Sequence, residues 1–225
     1  EVTEGVKVLF RRAGHILGSA TMELQLGEDP PFRLVDSGDL GRWDQPILRD
    51  PELVPEADVL LLESTYGDRM HPAADPSVEL ARIVNETVQR EGVLLIPAFA
   101  VGRTQEVIWR LRQLEDQGRI PSLPVYLDSP MAMDVSDIYC RHTEDHDLDM
   151  KDLMDKKRCP LCCQKQHLTR PSEESKAINQ LKGPVIIIAS SGMATGGRIL
   201  HHLKMRLPDP STTVLLIGFQ AAGTR

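Results

Sequence analysis

Phe32–Arg42 reads FRLVDSGDLGR, a short apolar strand that runs straight into two aspartates, Asp36 and Asp39, with Gly38 between them and Gly41 just after. A strand ending in glycine-flanked carboxylates is how an α/β protein presents an anionic group at the edge of its core. The glycines let the backbone turn tightly or come close to a bound group. Upstream, AGHILGSA (Ala13–Ala20) holds His15 between glycines after another strand. Downstream, ADVLLLESTYGDR (Ala57–Arg69) ends a third strand at Glu63. His15, Asp39 and Glu63, three groups of metal-site type, thus each follow a strand.

Working outward, the alternation predicts strands over Val6–Arg12 and Ala20–Leu26, with Glu28-Asp29-Pro30-Pro31 as the turn before Phe32–Val35. Strand, short turn, strand implies an antiparallel meander. Trp43–Glu56, rich in proline and acid, reads as a surface loop. Val59–Leu62 is an unbroken apolar run, which predicts a strand buried on both faces. Beyond Thr65 the rhythm changes. An amphipathic helix is expected over Pro76–Arg90, with Val78, Ala81, Val84 and Val88 facing inward. Strand Val93–Phe99, helix Thr104–Gln117, strand Val125–Leu127 and helix Ala132–Tyr139 follow. Helix Glu173–Leu181, strand Val185–Ala189, helix Gly197–Arg206 and strand Thr213–Ile217 complete the series. This βαβ alternation predicts a mostly parallel sheet covered by helices, with a boundary near residues 67–75. The charged stretch His142–Lys157 reads as solvated surface with room for some helix.

The bulk properties bound the function. The 225 residues are 41% hydrophobic and 26% charged, as in an ordinary soluble protein, with a formal charge of −7 and a pI near 5.5. That balance gives no general attraction to nucleic acid, so such a partner would need a local site or a metal. No apolar run reaches the length of a membrane span, and no signal-peptide pattern opens the chain. Both ends look cut, which implies a piece of a longer protein. With no secretory signal, Cys140, Cys159, Cys162 and Cys163 are thiols or metal ligands rather than a disulfide framework. Cys159-Pro-Leu-Cys162-Cys163 matches half of a tetrahedral zinc site, which Cys140, His142, His146 or His167 would complete, but free thiols are the simpler reading.

Each candidate residue has two readings. His15 is a surface hydrogen-bonding residue or a zinc ligand, imidazole being a suitable donor near neutral pH. Asp36 and Asp39 compete for a carboxylate role: Asp39 is released onto the loop, whereas Asp36 would equally cap Gly38 or Leu40. Such a pair suits Mg²⁺ or Ca²⁺ as well as zinc. Glu63, costly to bury alone, either pairs with Arg42, Arg69 or Arg103 or works near the site. Two strand-to-helix loops suit phosphate: FAVGRT (Phe99–Thr104) with Arg103, and SSGMATGGR (Ser190–Arg198) with Ser191, Gly192 and Thr195. Both lack the GK[ST] ending of a Walker A loop, and either would also serve as a tight connection. Of His201 and His202, one is expected at the surface and the other toward the core.

Taken together, AGHILGSA, DSGDLGR, LLLESTYGDR, PAFAVGRTQE, VYLDSPMA, SEESKAIN, ASSGMATGGR and IGFQAAGT resemble, in the same order, the β-CASP group of metallo-β-lactamase-fold nucleases. This RNA- and DNA-processing family includes ribonuclease J and the pre-mRNA 3′-end-processing endonuclease. The resemblance implies the tail of a metallo-β-lactamase αββα sandwich over residues 1–66 and most of a β-CASP domain over 67–225. It implies two zinc ions between the domains, with His15 as a ligand, Asp39 as the bridging aspartate and no such role for Asp36. Glu63 becomes an acidic residue near the reaction centre that works with a later histidine. The family's HxHxDH motif is expected upstream of Glu1 and two further histidine motifs downstream of Arg225. CPLCC has no counterpart in the family pattern.

The implied activity is zinc-dependent hydrolysis of RNA phosphodiester bonds by the full-length protein, the chain alone being inactive. Arg103 and the Ser191–Thr195 loop would contact backbone phosphates. Single-stranded RNA is the expected partner, DNA and a homodimer are admitted, and no membrane is called for. The implied location is the cytoplasm, or the nucleus in a eukaryote. Two other functions stand beside this one: a catalytically inactive RNA-binding or scaffold member of a processing complex, and a metallo-β-lactamase-fold hydrolase of small esters or thioesters.

Overall fold

The structure, a computed structural model, describes residues 2–70, 74–155 and 160–224. Strands β1 (Val6–Arg12), β2 (Ala20–Leu26), β3 (Phe32–Asp36) and β4 (Val59–Leu61) come first. They are followed by α1 (Pro76–Gln89), β5 (Val93–Pro97), α2 (Arg103–Asp116), β6 (Pro124–Asp128) and α3 (Pro130–Arg141). Then come α4 (Leu148–Asp155), β7 (Lys165–Leu168), α5 (Ser172–Ile178), β8 (Val185–Ala189), α6 (Arg198–Arg206) and β9 (Thr213–Val214). They form two compact units, Glu1–Ala73 with Glu144–Asp152, and Ala74–Thr143 with Leu153–Arg225.

In the first unit the strand order is β1-β2-β3-β4. The three leading strands form the expected antiparallel meander, and β4 joins β3 in parallel with Asp36 opposite Leu61. The register Val8↔Leu24↔Leu34↔Val59 and Phe10↔Met22↔Asp36↔Leu61 puts an apolar set on one face. The opposite face carries Glu23, only 3% exposed, which accepts from Arg11 Nε and Nη2 at 3.1 and 2.9 Å and from Gln25 Nε2 at 2.8 Å. Those bonds hold its carboxyl below the usual glutamate range against the opposing effect of burial.

Two expectations are corrected here. Val59–Leu62 is not buried on both faces: its residues are 42–61% exposed, because β4 is the edge strand of a four-stranded sheet. An apolar run records what a strand is suited to bury, not what covers it. The His142–Lys157 stretch is not simply solvated surface either. Leu48 bridges His146, Asp147 N–H donates to Ile47 O at 3.0 Å, and His146 and Met150 are buried with Ile47. Asp147 Oδ1 accepts from Met150 N–H at 2.7 Å and so caps α4.

The second unit is a five-stranded sheet, order β7-β6-β8-β5-β9, in which every pairing is parallel. Its central strands, VLLIP and VIIIA, are buried along their whole length. Leu94, Ile96, Ile186 and Ile188 pack against α1 and α2 through Val84, Ile108 and Leu111. Val93, Leu95 and Ile187 on the other face meet Ile178 of α5 and Leu203 of α6. Helices thus cover both faces, as a parallel sheet requires. α1 is set one notch from expectation. Asp75 caps it by accepting from Ser77 N–H at 2.8 Å, Leu80, Ala81, Val84 and Thr87 point inward, and Val78 is 57% exposed. β7 was not expected, since KQHL carries no apolar alternation; it lies at the sheet edge. Because the strands are parallel, the connections leaving β5, β6 and β8 all emerge at the C-terminal edge, where such sheets bind ligands.

Candidate functional site

In the first unit, the loops that follow β1 and β3 are fastened together. Gly41 N–H donates to Ala13 O at 2.8 Å, and a Cβ on Gly41 would stand 2.0 Å from Gly14 O, so only glycine permits the approach. Ser19 shapes the upstream loop, its Oγ accepting from the N–H groups of His15 (3.0 Å) and Ile16 (3.2 Å). His15 and Asp39 are both exposed side chains on these joined loops. Asp36 is used locally instead, its Oδ1 accepting from Gly38 N–H at 2.9 Å.

Ser37, buried and passed over by sequence reasoning, ties β4 to the same turn. Its Oγ accepts from Glu63 N–H at 3.0 Å and donates to Gly38 O at 2.7 Å, while its N–H donates to Leu61 O at 2.9 Å. The Glu63 carboxylate accepts from Thr65 N–H at 3.0 Å. That bond first, opposed by burial and aided by the Thr65 hydroxyl, the Leu40 N–H and the charge of His15, holds its carboxyl below the usual range. The arginines considered as its partners are engaged elsewhere: Arg42 with Gln45, Arg69 with Asp68, and Arg103 with Glu106. The Leu40 N–H and the His15 charge thus both act on the Glu63 carboxylate. Among the described residues no three His, Cys, Asp or Glu side chains form a metal-ligand group.

In the second unit, the two phosphate-type loops differ. Arg103, in the first turn of α2, ion-pairs with Glu106, which also receives Arg110, so one carboxylate is shared between two guanidinium groups. The Ser190–Arg198 loop closes on itself: Ser191 N–H and Oγ both go to Gly196 O, at 3.2 and 3.3 Å. Ser191 Oγ is 3.5 Å from Thr195 Oγ1. Gly192 serves packing, since a Cβ there would stand 2.7 Å from the Phe99 ring, whereas a Cβ on Gly196 would meet nothing within 4 Å. Among the described residues the N–H groups of Thr195, Gly196 and Gly197 have no intramolecular acceptor. These are three successive backbone donors just before α6, groups of the kind that take up an anion.

Sequence reasoning also passed over Asp128, the residue that closes β6. It is fully buried, with Oδ1 accepting from Arg198 Nη1 at 2.6 Å and Oδ2 from His202 Nε2 at 2.7 Å and Ser175 Oγ at 2.5 Å. Burial alone would push its carboxyl up, but His202, Ser175 and Arg198 together hold it down. The signal was available, since a carboxylate at or just past the end of an apolar strand is what singled out Asp36, Asp39 and Glu63. His202 is buried and His201 exposed, as the helix spacing implied. Of the CPLCC cysteines, Cys159 lies outside the described residues. Cys163 belongs to the core, where burial pushes its thiol well up. Its neighbour Cys162 is fastened to α2 through its carbonyl, which accepts from Arg112 Nη1 at 2.8 Å.

Each unit by itself is now defined: an antiparallel sheet edge carrying joined His and Asp loops, and a parallel sheet, helix-covered on both faces, with an anion-suited loop. This is the α/β class that the sequence predicted. The Beta-Casp domain family matches residues 104–225, and the chain belongs to that family. It is 40% identical over 219 residues to Ribonuclease TTHA0252 of Thermus thermophilus, covering 97% of this chain and 50% of that protein. It is 34% identical to Transcription termination factor FttA of Methanosarcina mazei, covering 100% of this chain and 36% of that one. The RNase J-like protein of Methanocaldococcus jannaschii is 31% identical, with 100% and 51% covered. The chain thus spans a third to a half of the length of these relatives. Among the described residues no helix is long and apolar enough to cross a membrane.

Proposed function

We propose that the full-length protein is a zinc-dependent ribonuclease acting on single-stranded RNA. In this reading residues 1–66 are part of its metallo-β-lactamase domain and 67–225 belong to its β-CASP domain. The observation that carries the reading is the fastening of two loops that each expose one metal-type donor, His15 and Asp39, in a chain 40% identical to a ribonuclease. Imidazole and carboxylate fit zinc, but zinc needs at least three protein ligands. The others would come from the length of protein that this chain does not span, and the chain alone is expected to be inactive. A zinc pair, when bound, supplies a water of lowered pKa and neutralises charge on the transferring phosphoryl group.

This chain's own residues have three tasks. His15 and Asp39 hold metal, with Gly41 keeping their loops together. Glu63, kept ionised by Thr65 and Leu40, orients a proton-donating partner from elsewhere in the protein. The Ser190–Arg198 loop binds a backbone phosphate, chiefly through the N–H groups of Thr195, Gly196 and Gly197 and the Thr195 hydroxyl, with Ser191 and Gly192 setting its shape. Arg103 adds positive charge, since the single Glu106 carboxylate that it pairs with is shared with Arg110. Phosphate recognition of this kind reads backbone rather than base.

The test is cleavage of end-labelled single-stranded RNA by the full-length protein before and after chelation. Loss of cleavage on chelation and its return with zinc is the expected result. Cleavage that survives complete removal of metal would overturn zinc dependence. RNA binding without any cleavage would favour the scaffold function.

A further inference from the structure

Asp128 and Ser129, consecutive residues where β6 ends, hold opposite ends of the Ser190–Arg198 loop. At its entry, Ser129 Oγ lies 3.0 Å from Ser190 Oγ. At its exit, Asp128 Oδ1 accepts from Arg198 Nη1 at 2.6 Å. The same guanidinium donates to Thr169 O at 2.9 Å and Arg170 O at 2.6 Å, just past β7. The C-terminal ends of β6 and β7 are therefore drawn to one cation, and the end of β8 is tied to that of β6 through the two serines. From below, His202 Nε2 in the second turn of α6 meets the other carboxylate oxygen, and Asn179 Oδ1 lies 2.9 Å from His202 Nδ1.

A fully buried carboxylate is costly unless its lone pairs are taken up, and here Arg198, His202 and Ser175 take them up. Arg198 is spent inward in the process, its side chain only 26% exposed. The loop's one arginine therefore does not offer its charge to a ligand. What the loop does offer is backbone, the N–H groups of Thr195–Gly197, and the geometry of those donors depends on where the loop's two ends are fixed.

We propose that Asp128 is a positioning residue for phosphate binding: with Ser129 it sets the span of the Ser190–Arg198 loop, and so the placement of the Thr195–Gly197 donors toward a phosphodiester. This rests on the reading of that loop as the phosphate site. Asp128 touches no substrate and acts through Arg198 and His202.

The experiment uses the full-length protein, end-labelled single-stranded RNA at fixed salt, and the variants Asp128→Asn, Ser129→Ala and Gly196→Val. The first keeps the shape and removes the charge. The second removes only the entry tie and is the milder change, so it decides if Asp128→Asn does not fold. The third places a side chain in open space over the donors and tests the underlying reading. Expected are a rise in KM of about tenfold for Asp128→Asn, the scale of a lost charge-assisted hydrogen bond, and a smaller rise for Ser129→Ala. In both, kcat stays within about twofold, bound metal is unchanged, and hydrogen exchange is faster at Ser191 and Ala194, whose N–H groups are bonded within the loop. If Gly196→Val raises KM but the other two change only the thermal midpoint, Asp128 is architecture and the proposal is wrong. If Gly196→Val leaves KM unchanged, the loop is not the phosphate site and the proposal falls with that reading.

Discussion

Gly41 donates its backbone N–H to Ala13 O at 2.8 Å, and this contact fastens the loop of His15 to the loop of Asp39. The Cβ of any other residue at position 41 would lie 2.0 Å from Gly14 O. Gly41→Ala must therefore push the two loops apart. Overpacking of this kind costs about 1–3 kcal/mol, and the full-length variant should also lose bound metal. Urea unfolding with metal analysis checks both, and unchanged stability with full metal content would remove the contact from the account.

Glu63 gives a pH test with a definite sign. Its folded carboxyl lies below the ordinary value of 4.5, chiefly through Thr65 N–H. A depressed carboxyl stabilises the fold above its ordinary value, and that stabilisation is lost as pH falls through the folded value. Glu63→Gln should therefore melt below the wild type at pH 7, and the gap should narrow as pH falls below 4.5. A gap of constant size from pH 7 to pH 3 would show that ionisation of Glu63 is not what orders the turn.

The apolar face of the first sheet predicts how the 225-residue chain behaves in solution. Phe10 is 71% exposed and Leu61, in the same row, is 52% exposed. Exposed apolar side chains on one sheet face favour association. Sedimentation should show concentration-dependent self-association that the double variant Phe10→Ser/Leu61→Ser reduces. An equally associated double variant would place the contact elsewhere.

Much of this was legible in the residues. β1, β2 and β8 have the spans their alternation or apolar runs implied, and the βαβ rhythm from Pro76 onward becomes a parallel sheet. What was not legible depends on partners distant in sequence. KQHL becomes β7 because β6 offers it a parallel ladder, with Tyr126 and His167 stacked 4.6 Å apart. Arg103 reads as a free phosphate contact, yet the structure also pairs it with Glu106, one turn on, which Arg110 shares. Val59–Leu62 reads as core, yet the residues that would bury it are not set by its own composition. Asp128 was within reach, but a carboxylate at a strand end announces only that it needs donors, and the donors lie 47 to 74 positions away.

The central claim, that Asp39 and not Asp36 is a metal ligand, is tested most directly by metal content. Asp36 is occupied with Gly38 N–H at 2.9 Å, whereas Asp39 is exposed on the loop that Gly41 fastens to that of His15. Zinc should be measured in the dialysed full-length wild type, Asp36→Ala and Asp39→Ala, with RNA cleavage assayed on the same samples. The account predicts that Asp39→Ala loses zinc and all detectable cleavage while keeping its fold. Asp36→Ala should retain zinc and lose about 1 kcal/mol of stability, the usual scale of one turn hydrogen bond. Equal loss of zinc from both variants, or full zinc and cleavage in Asp39→Ala, would contradict it.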